Sequence, residues 1–136
     1  MSDNTKTVAR AFYESYNEGD LDRSWESYIA PDLINHAMGG AYDGDGWREV
    51  DKSMLVAFPD TRVQVLDQVA EDDKVATRMT FTGTQVSEFF GIPAAGVTAT
   101  LSVTAVDRVA GGKIVEHWSD ADVAGFLQSL TRVPAS

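Results

Sequence analysis

Gly112-Lys113-Ile114-Val115-Glu116-His117-Trp118-Ser119-Asp120-Ala121-Asp122 reads as a strand that leaves a Gly-Gly turn and runs into a helix start. Strict alternation places Lys113, Val115, His117 and Ser119 on one face and Ile114, Glu116 and Trp118 on the other. Ser119 followed three residues later by Asp122, ahead of Val123, Phe126, Leu127 and Leu130, has the spacing of a helix capping box, with Asp120 as a competing cap. The two carboxylates therefore have a structural reading, satisfying helix-start amides, beside a chemical one, tuning the imidazole. His117 is one of two histidines in the chain. If the face of Val115 lines an enclosed space, His117 projects into it, where an imidazole can move protons near neutral pH.

Working outward, the preceding run alternates as well, with Leu101, Val103, Ala105, Asp107 and Val109 opposed to Ser102, Thr104, Val106 and Arg108. Two more strands precede it, Arg62–Leu66 and Val75–Gln85, separated by the turn Glu71-Asp72-Asp73-Lys74. Arg78 and Arg108 read as partners of acidic neighbours on the outer face. The segment Ser87–Gly96, with Phe89-Phe90-Gly91-Ile92-Pro93, is an apolar excursion that should cover a core, a pocket mouth or a subunit contact.

Before Thr61 the period is about 3.6 rather than 2. Asp3 or Asn4 caps a first helix carrying Val8, Ala9, Phe12, Tyr13 and Tyr16 on one face and stopped by Gly19. Asp20 caps a second helix with Leu21, Trp25 and Tyr28, ended by Pro31. The short run Leu33-Ile34-Asn35-His36 leads into a loop with Gly39, Gly40, Gly44 and Gly46. Asn35 and His36 there either rim a pocket or form a turn. Trp47, Val50, Met54, Leu55 and Phe58 mark a third helix stopped by Pro59. Helices at the front and strands behind predict a single α+β domain over residues 1–136, in which a curved antiparallel sheet wraps around helices as a cone with an internal cavity.

Composition removes several functions. The formal charge of −10, with no Lys/Arg cluster, disfavours nucleic acid and anionic membrane surfaces. The absence of cysteine removes disulfides, thiolate catalysis and iron–sulfur clusters. With His36 and His117 the sole imidazoles and no ligand spacing between them, no metal site is expected. No run approaches the ~18 apolar residues of a membrane span, and the first residues lack a signal-peptide core, so a soluble cytoplasmic protein is expected.

Several stretches, taken in order, resemble one family. They are Tyr16-Asn17-Glu18-Gly19, Tyr28-Ile29-Ala30-Pro31-Asp32, the Asn35 position, Phe89-Phe90-Gly91-Ile92-Pro93 and Gly112-Lys113-Ile114-Val115-Glu116-His117-Trp118. Together they are similar to the SnoaL-like polyketide cyclases of the nuclear-transport-factor-like superfamily, whose fold is an α+β cone. The resemblance implies an intramolecular aldol closure driven by a cavity carboxylate. It matches Asn35 and His117 to polar cavity residues and Asp122 to an aspartate near the last helix. Where the cyclases carry the acid/base aspartate, two residues after the histidine, this chain has Ser119. Where they carry a glutamine and a histidine on the preceding strand, it has Val103 and Ala105. A hydroxyl cannot take and return a proton near neutral pH as a carboxylate does.

A second branch of the same family lacks that aspartate and is regarded as hydroxylases of anthracycline-type pathways, working with molecular oxygen and without metal or flavin. The resemblance to this branch implies a cofactor-independent hydroxylase of a polycyclic aromatic polyketide. Its catalytic group would be His117 with Asp120 and Asp122, and Asn35, His36, Trp47, Asp107 and Ser119 would contact substrate; Asp120, Asp122 or Asp107 would tune the imidazole. O2 is the co-substrate, a partner reductase is left open, and a homo-oligomer is expected. A cyclase using a relocated carboxylate, or a ligand-binding or assembly module without turnover, are the alternatives.

Overall fold

The computed structural model describes residues 2–40 and 43–131. The first helix, α1, spans Ser2–Ser15 and continues as a 3-10 turn over Tyr16–Glu18. It already begins at Ser2, ahead of the expected cap at Asn4, while the side chain of Asp3 lies outside the described residues. Val8, Ala9, Phe12, Tyr13 and Tyr16 are all buried, as the spacing predicts. Gly19 ends the turn at φ 79°, a left-handed conformation that costs glycine nothing. The Asp20 carboxylate accepts from the Arg23 amide at 3.1 Å and starts α2, Leu21–Tyr28.

Pro31 does not end that helix. The chain turns extended at Ile29, and Pro31 sits inside β1, Ile29–Asn35. β1 is an edge strand bonded only to β5, the strand Lys113–Ala121, so the N–H that proline lacks need not be missed by a second neighbour. After a 3-10 turn at Ala37–Gly40, the Asp43 side chain accepts from the Gly46 amide and caps α3, Gly44–Ala57. Two of the glycines expected to form a loop, Gly44 and Gly46, thus belong to a helix start.

β2 (Arg62–Glu71), β3 (Lys74–Thr84), β4 (Thr98–Ala110) and β5 form an antiparallel series. β1 joins it parallel to β5, giving the order β1-β5-β4-β3-β2 and a mixed sheet rather than a wholly antiparallel one. No hairpin ties β1 to β5. The chain passes from β1 through α3 to β2 at the opposite edge, so no tight turn dictates antiparallel pairing.

Register is interrupted between Val65 and Asp67 of β2 and between Arg108 and Val109 of β4. At the second break Val109 pairs with Ile114 but Arg108 pairs with Glu116, which makes Val115 an extra residue in β5. Strict alternation therefore fails there. Ile114 and His117, three apart, are both buried, whereas Val115 is half-buried. Such bulges bend a strand and increase its twist. Here they help the sheet curl over α1, whose Phe12 ring meets Tyr13, Tyr16, Trp25 and Trp47 edge-on with centroids 5.0, 5.4, 5.2 and 5.8 Å away. Full burial of such a ring stabilises by roughly 2–3 kcal/mol.

β5 stays paired with β4 as far as Ala121 opposite Val103, so the last helix cannot start at Ser119 or Asp120. Asp122 is the cap of α4, Val123–Ser129, accepting from the Gly125 amide at 3.0 Å.

Candidate active site

Between the inner face of the sheet and the helices lies a cavity of about 150 Å³. Its wall is mainly apolar, with Met54, Met79, Phe81, Leu101 and Phe126. Tyr13, Tyr16, Asp51, His117 and Ser119 supply the ionisable and hydroxyl groups.

The β4–β5 register sets Asp107 directly opposite His117; alternation along β4 turns Asp107 to the inside, and the bulge at Val115 brings His117 to the same face. Their side chains are 0% and 3% exposed, with His117 Nδ1 2.6 Å from Asp107 Oδ1. The Tyr13 hydroxyl donates to Asp107 Oδ2 at 2.7 Å and lies 3.4 Å from the same imidazole nitrogen. Asp107 thus accepts on both oxygens. An ionised carboxylate fixes the proton of the neutral imidazole on Nδ1 and makes Nε2 the nitrogen with a lone pair. Trp47 lies flat on the His117 ring, with centroids 4.0 Å apart and planes 10° from parallel. Burial, reinforced by the neighbouring Asp107, pushes the Tyr13 phenol well above its usual value, so it remains a donor at neutral pH.

A second polar pair stands on the helical wall. The Tyr16 hydroxyl donates to Asp51 Oδ2 at 2.5 Å. Asp51 shows part of its surface to the cavity, yet enclosure of its carboxyl raises the pKa from 3.8 to about 6. Desolvation outweighs the opposing effects of Tyr16, His117 and Trp47. Because the folded protein holds this proton more tightly than the unfolded chain, stability is highest below pH 3.8 as far as Asp51 is concerned and falls as pH rises to about 6. The loss above that point is at most roughly 3 kcal/mol. Asp51→Asn is therefore expected to melt at a higher temperature than the parent above pH 7, with the gap closing towards pH 4. A constant gap across thermal melts at these pH values would contradict the assignment.

Of the residues anticipated from sequence, His117, Ser119 and Trp47 line the cavity, and Asp107 is bonded to His117 behind it. Asn35 neighbours His117 across the β1–β5 pairing, and its side chain accepts from the Ala37 amide at 3.1 Å to close a turn. His36 is exposed. Its Nε2 lies 2.6 Å from Glu116 Oε2 and its ring stacks on Trp118, so it stands outside the cavity. Asp120 is exposed and opposite Thr104, and Asp122 is occupied as a helix cap. Neither is bonded to His117; the carboxylate that reaches it is Asp107.

Tyr13, Tyr16 and Asp51 were not among the residues singled out for chemistry. The signal for Asp51 was present, since it shares a helical stripe with Trp47 and Met54, where a carboxylate interrupts an apolar line. The tyrosines sat on a core face, and a buried hydroxyl needs a partner.

Arg78 pairs with Asp67 and Arg108 with Glu116 on the outer face, as the sequence suggested. Phe89 packs on Phe58 and Phe126, while Phe90, 56% exposed, lies at the cavity edge, so the Phe-Phe segment covers the pocket. Among the described residues, no three His, Asp or Glu side chains gather as metal ligands, and no helix is long and apolar enough to cross a membrane.

The sequence pattern of the SnoaL-like polyketide cyclases matches residues 6–130. The chain belongs to that family. Among solved structures it is similar to AclR of Streptomyces galilaeus, provisionally named a hydroxylase, at 26% identity and a TM-score of 0.88, covering 98% of this chain and 100% of AclR. IdmH of Streptomyces antibioticus, provisionally named a polyketide cyclase, is 33% identical with a TM-score of 0.82, covering 94% of this chain and 99% of IdmH. TsrD of Streptomyces laurentii is 26% identical with a TM-score of 0.83, covering 98% of each chain. No curated protein matches. The family's cone is the fold seen here, with its sheet open rather than closed.

Proposed function

We propose that this protein is a tailoring enzyme of aromatic polyketide biosynthesis that hydroxylates a polycyclic, anthracycline-type intermediate with O2 and no bound cofactor. The observation that carries the reading is the buried Asp107–His117 pair at the wall of an apolar cavity whose neighbouring position is Ser119, not a carboxylate. Similarity to AclR supports it. His117 Nε2 takes a proton from a phenol or acidic carbon of the substrate. Asp107 holds the resulting imidazolium, and the apolar wall keeps water from the anion. An electron-rich anion of this kind reduces O2 by one electron. Recombination of the radical pair gives a hydroperoxide, and a two-electron reductant cleaves its O–O bond to leave the hydroxyl and water. Trp47, flat against His117, holds the imidazole ring in place and forms part of the cavity wall beside the base.

The test is incubation with an anthraquinone-type polyketide intermediate, a reductant and ¹⁸O2, beside an anaerobic control, followed by mass spectrometry. Oxygen-dependent gain of one labelled atom is the expected result. A ring closure catalysed by His117 and Asp107 is the second reading, favoured by the likeness to IdmH and by the carboxylate found beside the imidazole. It predicts an isomer of unchanged mass, formed equally well without oxygen, and that product would displace the hydroxylase.

A further inference from the structure

Two proton-handling clusters face one cavity, and the reaction above uses one of them. Asp51 and Tyr16 reach the cavity from the helical side, and His117 from the sheet. Trp47 connects the two, stacked on His117 and one helical turn before Asp51 on α3. We infer that Asp51, seated on the Tyr16 hydroxyl, is the acid of a push–pull pair, donating to a carbonyl oxygen of the substrate while His117 takes a proton from the adjoining carbon framework. The pair gives the protein a further activity, reversible enolisation of a fused-ring ketone without oxygen. This inference rests on the proposed aromatic polyketide substrate but not on its oxidation.

A carboxyl group serves as such an acid only while it holds its proton. The groups facing Asp51 are Tyr16 and Tyr13 from α1 and its extension, Trp47 from α3, Asp107 from β4 and His117 from β5. Both phenols stay neutral, pushed up by burial first and by their carboxylate partners second. The Asp51 proton is retained to about pH 6. The carboxyl accepts from Tyr16 and is also hydrogen-bonded by the Trp47 side chain, and these two contacts orient it at the cavity wall.

The step balances without an oxidant or reductant. The carbon–hydrogen bond breaks, its proton goes to His117 Nε2, and its electron pair forms the new carbon–carbon double bond. The carbonyl π pair moves to oxygen, which takes the proton of Asp51. The products are a neutral enol, an imidazolium held by Asp107 and a carboxylate held by Tyr16. Ketones whose enol is aromatic are the class that gains most, because the proton lost from carbon completes a ring. Reversal in heavy water returns deuterium to carbon.

Anthrone is a suitable probe. Under nitrogen in D2O, deuterium entering its C10 position is followed by proton magnetic resonance, with binding measured separately by tryptophan fluorescence. The expected result is exchange above the buffer rate that declines as pH rises through about 6. Asp51→Asn is expected to slow exchange by about 10²-fold and abolish this decline while anthrone still binds. Tyr16→Phe, which keeps the ring, should displace the decline along the pH axis. Exchange in Asp51→Asn at the parental rate and with the parental pH profile overturns the inference. If the same variant still incorporates oxygen normally, the hydroxylase reading survives that failure. Anthrone bound with neither exchange nor oxygenation overturns both.

Discussion

His117→Gln is expected to lower turnover by about 10²–10⁴-fold, the range contributed by a positioned general base, with little change in melting temperature. Glutamine can still donate an amide N–H to Asp107 Oδ1, the bond His117 Nδ1 makes at 2.6 Å, and it fills part of the space beneath Trp47. It cannot accept a proton from the substrate at neutral pH. His117→Ala is the less informative variant, since it leaves Asp107 with Tyr13 as its remaining side-chain partner and opens a void under the indole. The readout is product formation by mass spectrometry beside thermal denaturation followed by circular dichroism. His117→Gln retaining more than a tenth of parental turnover would remove the imidazole from the base role.

Asp107 should show the largest effect on stability. It is fully buried, and both its oxygens are engaged, by Tyr13 at 2.7 Å and His117 at 2.6 Å. Asp107→Ala leaves two buried donors unmatched and a cavity in the sheet, a loss of roughly 3–5 kcal/mol. That is a large part of the ~5–15 kcal/mol by which domains of this size are stable. Asp107→Asn separates structure from chemistry. It keeps the volume, but if its amide donates towards Nδ1, the imidazole proton must move to Nε2, the nitrogen that faces the work. Turnover should then fall by about 10²-fold or more while the urea midpoint moves far less than for alanine. Equal losses of stability in the two variants, with turnover of Asp107→Asn intact, would mean that the pair serves packing alone.

Much of the architecture was legible because it depends on period. The stripe of Val8, Phe12, Tyr13 and Tyr16, the switch to alternation after Thr61 and the inward set of Leu101, Val103, Ala105 and Asp107 all reappear in the fold. The parallel docking of β1 was not, because no local turn encodes which edge a strand joins. The placing of His117, Trp47 and Ser119 at the cavity followed from the same periodicities and the family resemblance. What stayed open was the choice among acids. Asp120, Asp122 and Asp107 were each candidates to tune the imidazole, with Asp107 also read as a substrate contact, and spacing in sequence does not decide among them. Partnership across a sheet is set by strand register, and register puts Asp107, ten residues away, opposite His117. Asp51 was hidden for a similar reason, as its partner Tyr16 lies 35 residues earlier.

The extra residue at Val115 has an evolutionary consequence. In a strand of even register the position opposite Asp107 would belong to Glu116, and His117 would be carried to the outer face. Loss of the Val115 codon, by contrast, leaves a continuous ladder with Arg108 still opposite Glu116 and Asp107 still opposite His117, so the pair survives a change in the length of the strand. The length of β5 can thus shorten by the bulged residue without reversing the face that His117 presents. What lineages that keep the reaction must preserve is the pairing of Asp107 with His117, whether or not a residue is looped out between Ile114 and Glu116.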